Sequence, residues 1–98
     1  MRGPDVGAKL SRALIRSAAE AGGAIEIDEA ESTPWASATF IGERHSLTAR
    51  GAFAKLSRWI EALPDAEFEI GGHIVVSLDV VEASADRLRI ELLILEDR

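Results

Sequence analysis

Hydrophobic residues recur at helical spacing near the start of the chain. Between residues 6 and 21 they fall three or four positions apart, at Val6, Leu10, Ala13, Leu14, Ala18 and Ala21. This spacing gives a helix one continuous apolar face, and Gly22-Gly23 is typical of the residues that end a helix. The opposite side carries a basic stripe of three residues, Lys9, Arg12 and Arg16. We therefore expect a first helix over residues 6–21.

The residues that follow alternate between apolar and polar, which is the period of a strand with one buried face. Residues 24–31 and 35–41 predict two such strands, and Ser32-Thr33-Pro34 predicts a turn between them. Gly42-Glu43 predicts another turn. Beyond it, residues 44–49 predict either a short third strand or the continuation of one long, bent strand.

The second half of the chain repeats the change from helical to strand periodicity. Residues 51–63 have helical spacing, and Pro64 ends this second predicted helix because proline cannot continue the hydrogen-bond ladder. Strict alternation then predicts strands over residues 73–82 and 87–96. The short segment 83–86 joins these two strands into a hairpin.

This order of elements predicts one domain of the α+β class over residues 1–98. The order is α-β-β-(β)-α-β-β, and its short connections favour an antiparallel sheet of four to five strands with both helices on one face. The helix-strand-strand unit occurs twice. A duplication of this kind is a circular permutation of the ferredoxin-like order, so a permuted ferredoxin-like topology is a further hypothesis.

The charge of the chain makes some classes of binding partner less favourable than others. The net charge is −6, and residues 59–98 carry ten acidic and three basic side chains. This balance disfavours nucleic acid as the main partner, because a phosphate backbone would be repelled. Lys9, Arg12 and Arg16 form the only basic cluster, and RNA binding through these three residues is kept as a hypothesis for that reason.

Four residue types are missing from the chain, and their absence excludes several kinds of catalytic and metal site. The chain has no Cys, Tyr, Asn or Gln, which excludes a disulfide scaffold, a thiolate zinc site and a cysteine nucleophile. Neither a phosphate-binding glycine motif nor a nucleophile elbow occurs. We therefore expect a non-enzymatic binding module without a cofactor.

Composition also indicates origin and location. Abundant Ala, Gly and Arg, with only two Lys, are typical of a GC-rich bacterial genome. The longest aliphatic run is Leu92–Leu95, too short for a membrane span, and no export signal precedes the first helix. These features predict a cytoplasmic bacterial protein that does not enter a membrane.

One group of side chains is a candidate ligand site, namely Trp35, Glu43, Arg44, His45 and His73. Glu43 and His45 are two residues apart, so on a strand they share a face, where the carboxylate can orient the imidazole. His73 would complete a metal site only if it met His45, which the spacing does not require, and we assign no metal ligands. The alternative is that His45 lies in an exposed turn and His73 bonds to a loop backbone.

The last predicted strand points to an interaction with another molecule. Leu93 and Leu95 lie on the face opposite to Leu88, Ile90, Leu92 and Ile94, so this strand is apolar on both sides and needs a cover on both. The second cover comes either from this chain or from another molecule, through edge-strand pairing or sheet packing. Our leading hypothesis is a self-associating or protein-binding module that uses an edge strand, with Leu93 and Leu95 in the interface of a homodimer or with a protein partner.

Overall fold

The computed structural model describes residues 6–96, which form an α+β fold with one four-stranded antiparallel sheet. A single long helix precedes the first hairpin, and a shorter helical segment precedes the second. The elements are α1 (Val6–Glu20), β1 (Ile25–Ala36), β2 (Ile41–Gly51), a 3-10 turn (Phe53–Leu56), α2 (Ser57–Ala62), a second 3-10 turn (Leu63–Asp65), β3 (His73–Ala83) and β4 (Arg87–Glu96).

The strand order across the sheet is β1-β2-β4-β3, with every neighbouring pair antiparallel. Each hairpin pairs its own two strands, and β2 joins the hairpins by pairing with β4. Leu47 of β2 lies opposite Ile90 of β4, and Ala49 lies opposite Leu88. The C-terminal strand β4 is therefore an inner strand, while β1 and β3 are the edges.

One face of this sheet, which we call the covered face, packs against the helices and contains the hydrophobic core. Because directly opposed residues of paired strands share a face, the register assigns each side chain to a side. α1 contributes three buried residues, and the second helical segment contributes three more. The core residues are Leu10, Leu14, Ala18, Ile25, Leu47, Ala49, Phe53, Leu56, Leu63, Ile70, Leu78, Leu88, Ile90, Leu92 and Ile94.

The end of α1 and the side chain of Trp59 fix the helices against each other. Gly22 has a φ of +95°, a left-handed conformation that favours glycine, and Gly23 N–H donates to the Ala18 carbonyl over 2.9 Å. Trp59 of α2 donates its indole N–H to the Ser17 hydroxyl over 2.9 Å. Trp59 is partly buried and also packs against the core cluster.

The first hairpin differs from the prediction. The turn expected at 32–34 is absent, since β1 runs through Pro34 to Ala36, and the chain reverses at residues 37–40. The Ser37 hydroxyl accepts the N–H of Phe40 over 3.1 Å in this turn. Pro34 is tolerated because β1 is an edge strand, where a proline need not donate to a neighbour.

The predicted turn at Gly42-Glu43 is also wrong. β2 continues unbroken from Ile41 to Gly51, so the segment 44–49 is part of one long strand and the sheet has four strands. Gly42 is required for the packing of two strands and not for a turn. A Cβ at this position would overlap the carbonyl oxygen of Ile94, so glycine permits the close approach of β4 to β2.

The second helix is shorter than the predicted span 51–63. Gly51 is the last residue of β2, and only Ser57–Ala62 is α-helical. The 3-10 turns on either side contain the tighter hydrogen bonds that are common where a helix begins or ends. Pro64 lies inside the second of these turns, in agreement with its expected role of ending the helix.

Gly42→Ala should destabilise the fold by about 1–3 kcal/mol, because the added methyl group meets backbone that cannot move without separating β2 from β4. The change in free energy of unfolding can be measured by urea denaturation. Gly71→Ala is the matched control, since its added Cβ meets only the flexible Lys9 ammonium group at 3.7 Å. Equal stability of the two variants would show that Gly42 has no such packing role.

Candidate functional sites

The five residues of the hypothesised ligand site are divided between the two faces of the sheet. Glu43 and His45 lie on the covered face, whereas Arg44 and Trp35 lie on the opposite face, which we call the open face. This division follows from strand alternation along β2 and from the pairing of Trp35 with Gly42. The structure therefore does not bring the five side chains together.

His45 and His73 do not meet. His45 of β2 lies opposite Leu92, and His73 of β3 lies opposite Glu96, with β4 between them. Standard strand geometry separates them by about 13 Å along the strands and about 10 Å across the sheet. The hypothesis of a site shared by the two histidines is wrong, and residues 6–96 contain no cluster of three or more potential metal ligands.

His73 has the surroundings expected from the alternative interpretation. Its Nδ1 lies 3.1 Å from the carbonyl oxygen of Gly71, in the loop that precedes β3. Gly72 in the same loop has a φ of +79°, which favours glycine and allows the tight reversal before the strand. His73 therefore binds the loop backbone at the start of the strand.

Glu43 and His45 form a hydrogen-bonded pair on the covered face. His45 is only 3% exposed, so the expectation that it lies in an exposed turn is wrong. Its Nε2 donates to Oε1 of Glu43 over 2.8 Å, and the Glu43 side chain remains 44% exposed. The two-residue spacing on a strand places both groups on one side, and the carboxylate orients the imidazole.

The open face has an apolar end, formed by Trp35, Ile74, Leu93 and Leu95. Trp35, Gly42, Leu95 and Ile74 form one row across all four strands, and the lack of a Gly42 side chain leaves room within that row. Ile74 is 50% exposed. None of these four large side chains belongs to the core cluster, so no described helix covers them.

Ile74 lies on the open face, although strict alternation over the predicted strand 73–82 would place it on the same face as Leu78. The register shifts between Val75 and Ser77, which leaves Val76 as an extra residue. This bulge puts Ile74 on the open face while Leu78 stays in the core. The sequence around Val76 carries no distinctive residue, such as a glycine, that would have shown where the bulge lies.

Charged and hydroxyl side chains occupy the remainder of the open face. Arg50 donates from Nε to Asp28 over 2.7 Å and from Nη2 to Glu26 over 3.1 Å, and the hydrogen bond to Asp28 raises the pKa of this exposed guanidinium. Arg44 and Arg89 form no ion pair with any residue in 6–96. Both of them line a depression of about 250 Å³ together with two carboxylates, those of Glu31 and Glu91.

The basic stripe of α1 does not present one uniform surface. Arg12 and Arg16 are exposed, whereas Lys9 is half-buried and its ammonium group lies near Gly71. Only two of the three side chains are therefore fully available to a phosphate backbone. RNA binding through Lys9, Arg12 and Arg16 remains a prediction, and no contact in the structure favours it.

No protein-family model and no curated protein matches this chain. Within residues 6–96, no helix is long and apolar enough to span a membrane. The Glu43–His45 pair and the open face are therefore the features from which a function is inferred.

Glu43→Ala should destabilise the protein by about 1–2 kcal/mol, because the buried Nε2 of His45 loses its acceptor. Glu43→Gln keeps an acceptor at the same place and should restore most of the loss. Glu82→Ala, which removes an exposed carboxylate from β3, is the matched control. A Glu43→Ala variant as stable as Glu82→Ala, as measured by urea denaturation, would show that the pair contributes nothing to folding.

Proposed function

We propose that this protein is a self-associating module, and that a second copy packs on the open face. The observation that carries this proposal is the uncovered apolar end, Trp35, Ile74, Leu93 and Leu95, on a sheet whose other face already holds the core. Contiguous apolar surface of this kind marks an interaction site more often than an ordinary solvated surface. The role is that of a binding module and does not require catalysis.

The charges of the open face favour a second copy as the occupant. Arg44 and Arg89 have no ion-pair partner among residues 6–96, and neither do Glu31 and Glu91 beside them. A two-fold arrangement presents both signs from each copy, so that a guanidinium of one copy can meet a carboxylate of the other. An unrelated partner would need acidic and basic groups of its own at matching positions.

The size of the open face is adequate for a dimer. Four strands spaced about 4.8 Å apart and about ten residues long cover roughly 600 Å² in projection. Accessible surface exceeds projected area, and a standard interface buries about 800 Å² on each partner. The open face together with the adjoining turn, where Phe40 is 52% exposed, is thus of the required size.

Packing through the open face is favoured over pairing of edge strands. Leu93 and Leu95 belong to β4, an inner strand whose backbone already pairs on both sides. The edge strand beside it, β3, has register shifts near Val76 and Val81, and such bulges interrupt the flat row of backbone groups that a new strand would need. The edge-strand version of the original hypothesis is therefore replaced by sheet packing.

We make three further proposals, which concern topology, cellular location and origin. We propose a permuted ferredoxin-like topology, supported by the strand order β1-β2-β4-β3 and by the repeated helix-strand-strand unit. Cytoplasmic location and bacterial origin rest on composition alone.

Ile74→Glu should weaken self-association by about a hundredfold, or about 3 kcal/mol, because it buries an unpaired carboxylate in the apolar end. Leu95→Glu, in the neighbouring strand, should have a similar effect. Sedimentation velocity over a range of protein concentrations measures the dissociation constant of each variant.

Ile15→Glu is the matched control for this experiment. Ile15 is also an exposed isoleucine, 39% exposed against 50% for Ile74, but it belongs to α1, on the helix side of the sheet. Its substitution by glutamate should leave the dissociation constant unchanged. A wild-type protein that stays monomeric at high concentration, or equal weakening by Ile15→Glu and Ile74→Glu, would contradict the proposal and would leave a different protein as the occupant.

A further inference from the structure

A small cleft on the covered face lies between α1 and the hairpin of β1 and β2. It has a volume of about 260 Å³, and His45 lies in its wall. His45 and Thr48 are the only buried polar residues in 6–96, and of the two only His45 lines the cleft. The other lining residues are mostly small, which leaves the cleft open: Gly7, Ala8, Ser11, Ala30, Glu31 and Ser32.

The two ring nitrogens of His45 have different surroundings. Nε2 is bonded to Glu43, while Nδ1 has no hydrogen-bond partner among residues 6–96. Within the same residues, no fully buried side-chain nitrogen or oxygen lacks a partner, so Nδ1 reaches accessible space. Because the His45 side chain lies on the covered face, that space is the cleft and not the depression on the open face.

The pairing with Glu43 determines what Nδ1 offers to a ligand. A carboxylate only accepts, so Nε2 carries the hydrogen, and the neutral ring then presents a lone pair at Nδ1. The same arrangement, with one nitrogen held by a carboxylate and the other directed to a ligand, orients imidazoles in many functional sites. Nδ1 of His45 is thus an oriented hydrogen-bond acceptor.

The other groups in the cleft determine which ligand would fit. Ser32 is the cross-strand neighbour of His45, which places their Cβ atoms about 5 Å apart. Ser11 is the other residue with a hydroxyl in the lining, and no cationic residue of 6–96 contributes to it. Glu31 also borders the cleft, but it lies opposite Ser46, so its carboxylate belongs to the open face. An acceptor nitrogen and two hydroxyls favour a ligand that donates a hydrogen bond.

We propose that this cleft binds a small molecule that donates a hydrogen bond, from a hydroxyl or an ammonium group, to Nδ1 of His45. Ser11 and Ser32 provide the further polar contacts. The site differs from the hypothesised one, since it excludes Trp35, Arg44 and His73. It is independent of self-association, because it lies on the covered face.

The test is a titration of the full-length, ¹⁵N-labelled protein with two probes, followed by long-range ¹H–¹⁵N spectra of the histidine rings. Glycerol supplies neutral hydroxyl donors, and ethylammonium chloride supplies a charged donor at constant ionic strength and at about pH 8, where ordinary imidazoles are neutral. We expect a saturable shift of the His45 Nδ1 resonance with at least one probe. The Nδ1 resonance of His73 is the internal control and should not saturate.

Ala8→Leu should abolish the saturable shift by filling the cleft, while leucine preserves the helix. Ala19→Leu is the matched control, because Ala19 is exposed on the same helix and does not line the cleft. Non-saturating shifts with both probes, equal shifts at the two histidines, or an undiminished shift in a folded Ala8→Leu variant would each overturn the proposal.

Discussion

The rest of the structure depends on the position of β4, an inner strand with large apolar side chains on both faces. Leu88, Ile90, Leu92 and Ile94 meet the helices, while Leu93 and Leu95 point to the open face. The helices of the described chain lie only on the covered face, and apolar surface left in water forfeits the favourable free energy of burial. The sheet therefore has a covered face that holds the core and an open face with uncovered apolar side chains. The inference of a second copy rests on this difference.

Much of the fold could be predicted because local periodicity determines it. The spacing of Leu10, Leu14 and Ala18 predicts α1, and the alternation along β4 predicts the second hairpin. The location of the first turn could not be predicted in this way, because Pro34 is compatible with a strand only at an edge. Whether β1 is an edge depends on the strand order of the whole sheet, and a local pattern does not contain that information.

The candidate site likewise depends partly on local residue spacing and partly on the strand order and register of the whole sheet. The pairing of Glu43 with His45 follows from a two-residue spacing once both lie on one strand, although the sequence also predicts a turn at Gly42-Glu43. The separation of His45 from His73 depends on β4 lying between their strands. The exposure of Ile74 depends on an extra residue in β3, which a strict alternation of two cannot represent. The open face and the histidine cleft therefore depend on register and strand order, which local periodicity does not determine.

Filtered nuclear Overhauser spectra of a mixture of labelled and unlabelled full-length protein detect only contacts between copies and can therefore show whether a second copy covers the open face. We expect intermolecular signals from the methyl groups of Ile74, Leu93 and Leu95 and from the ring of Trp35. Their absence at concentrations well above those of ordinary dimer dissociation, or signals confined to residues of α1 and α2, would contradict the claim that a second copy covers the open face.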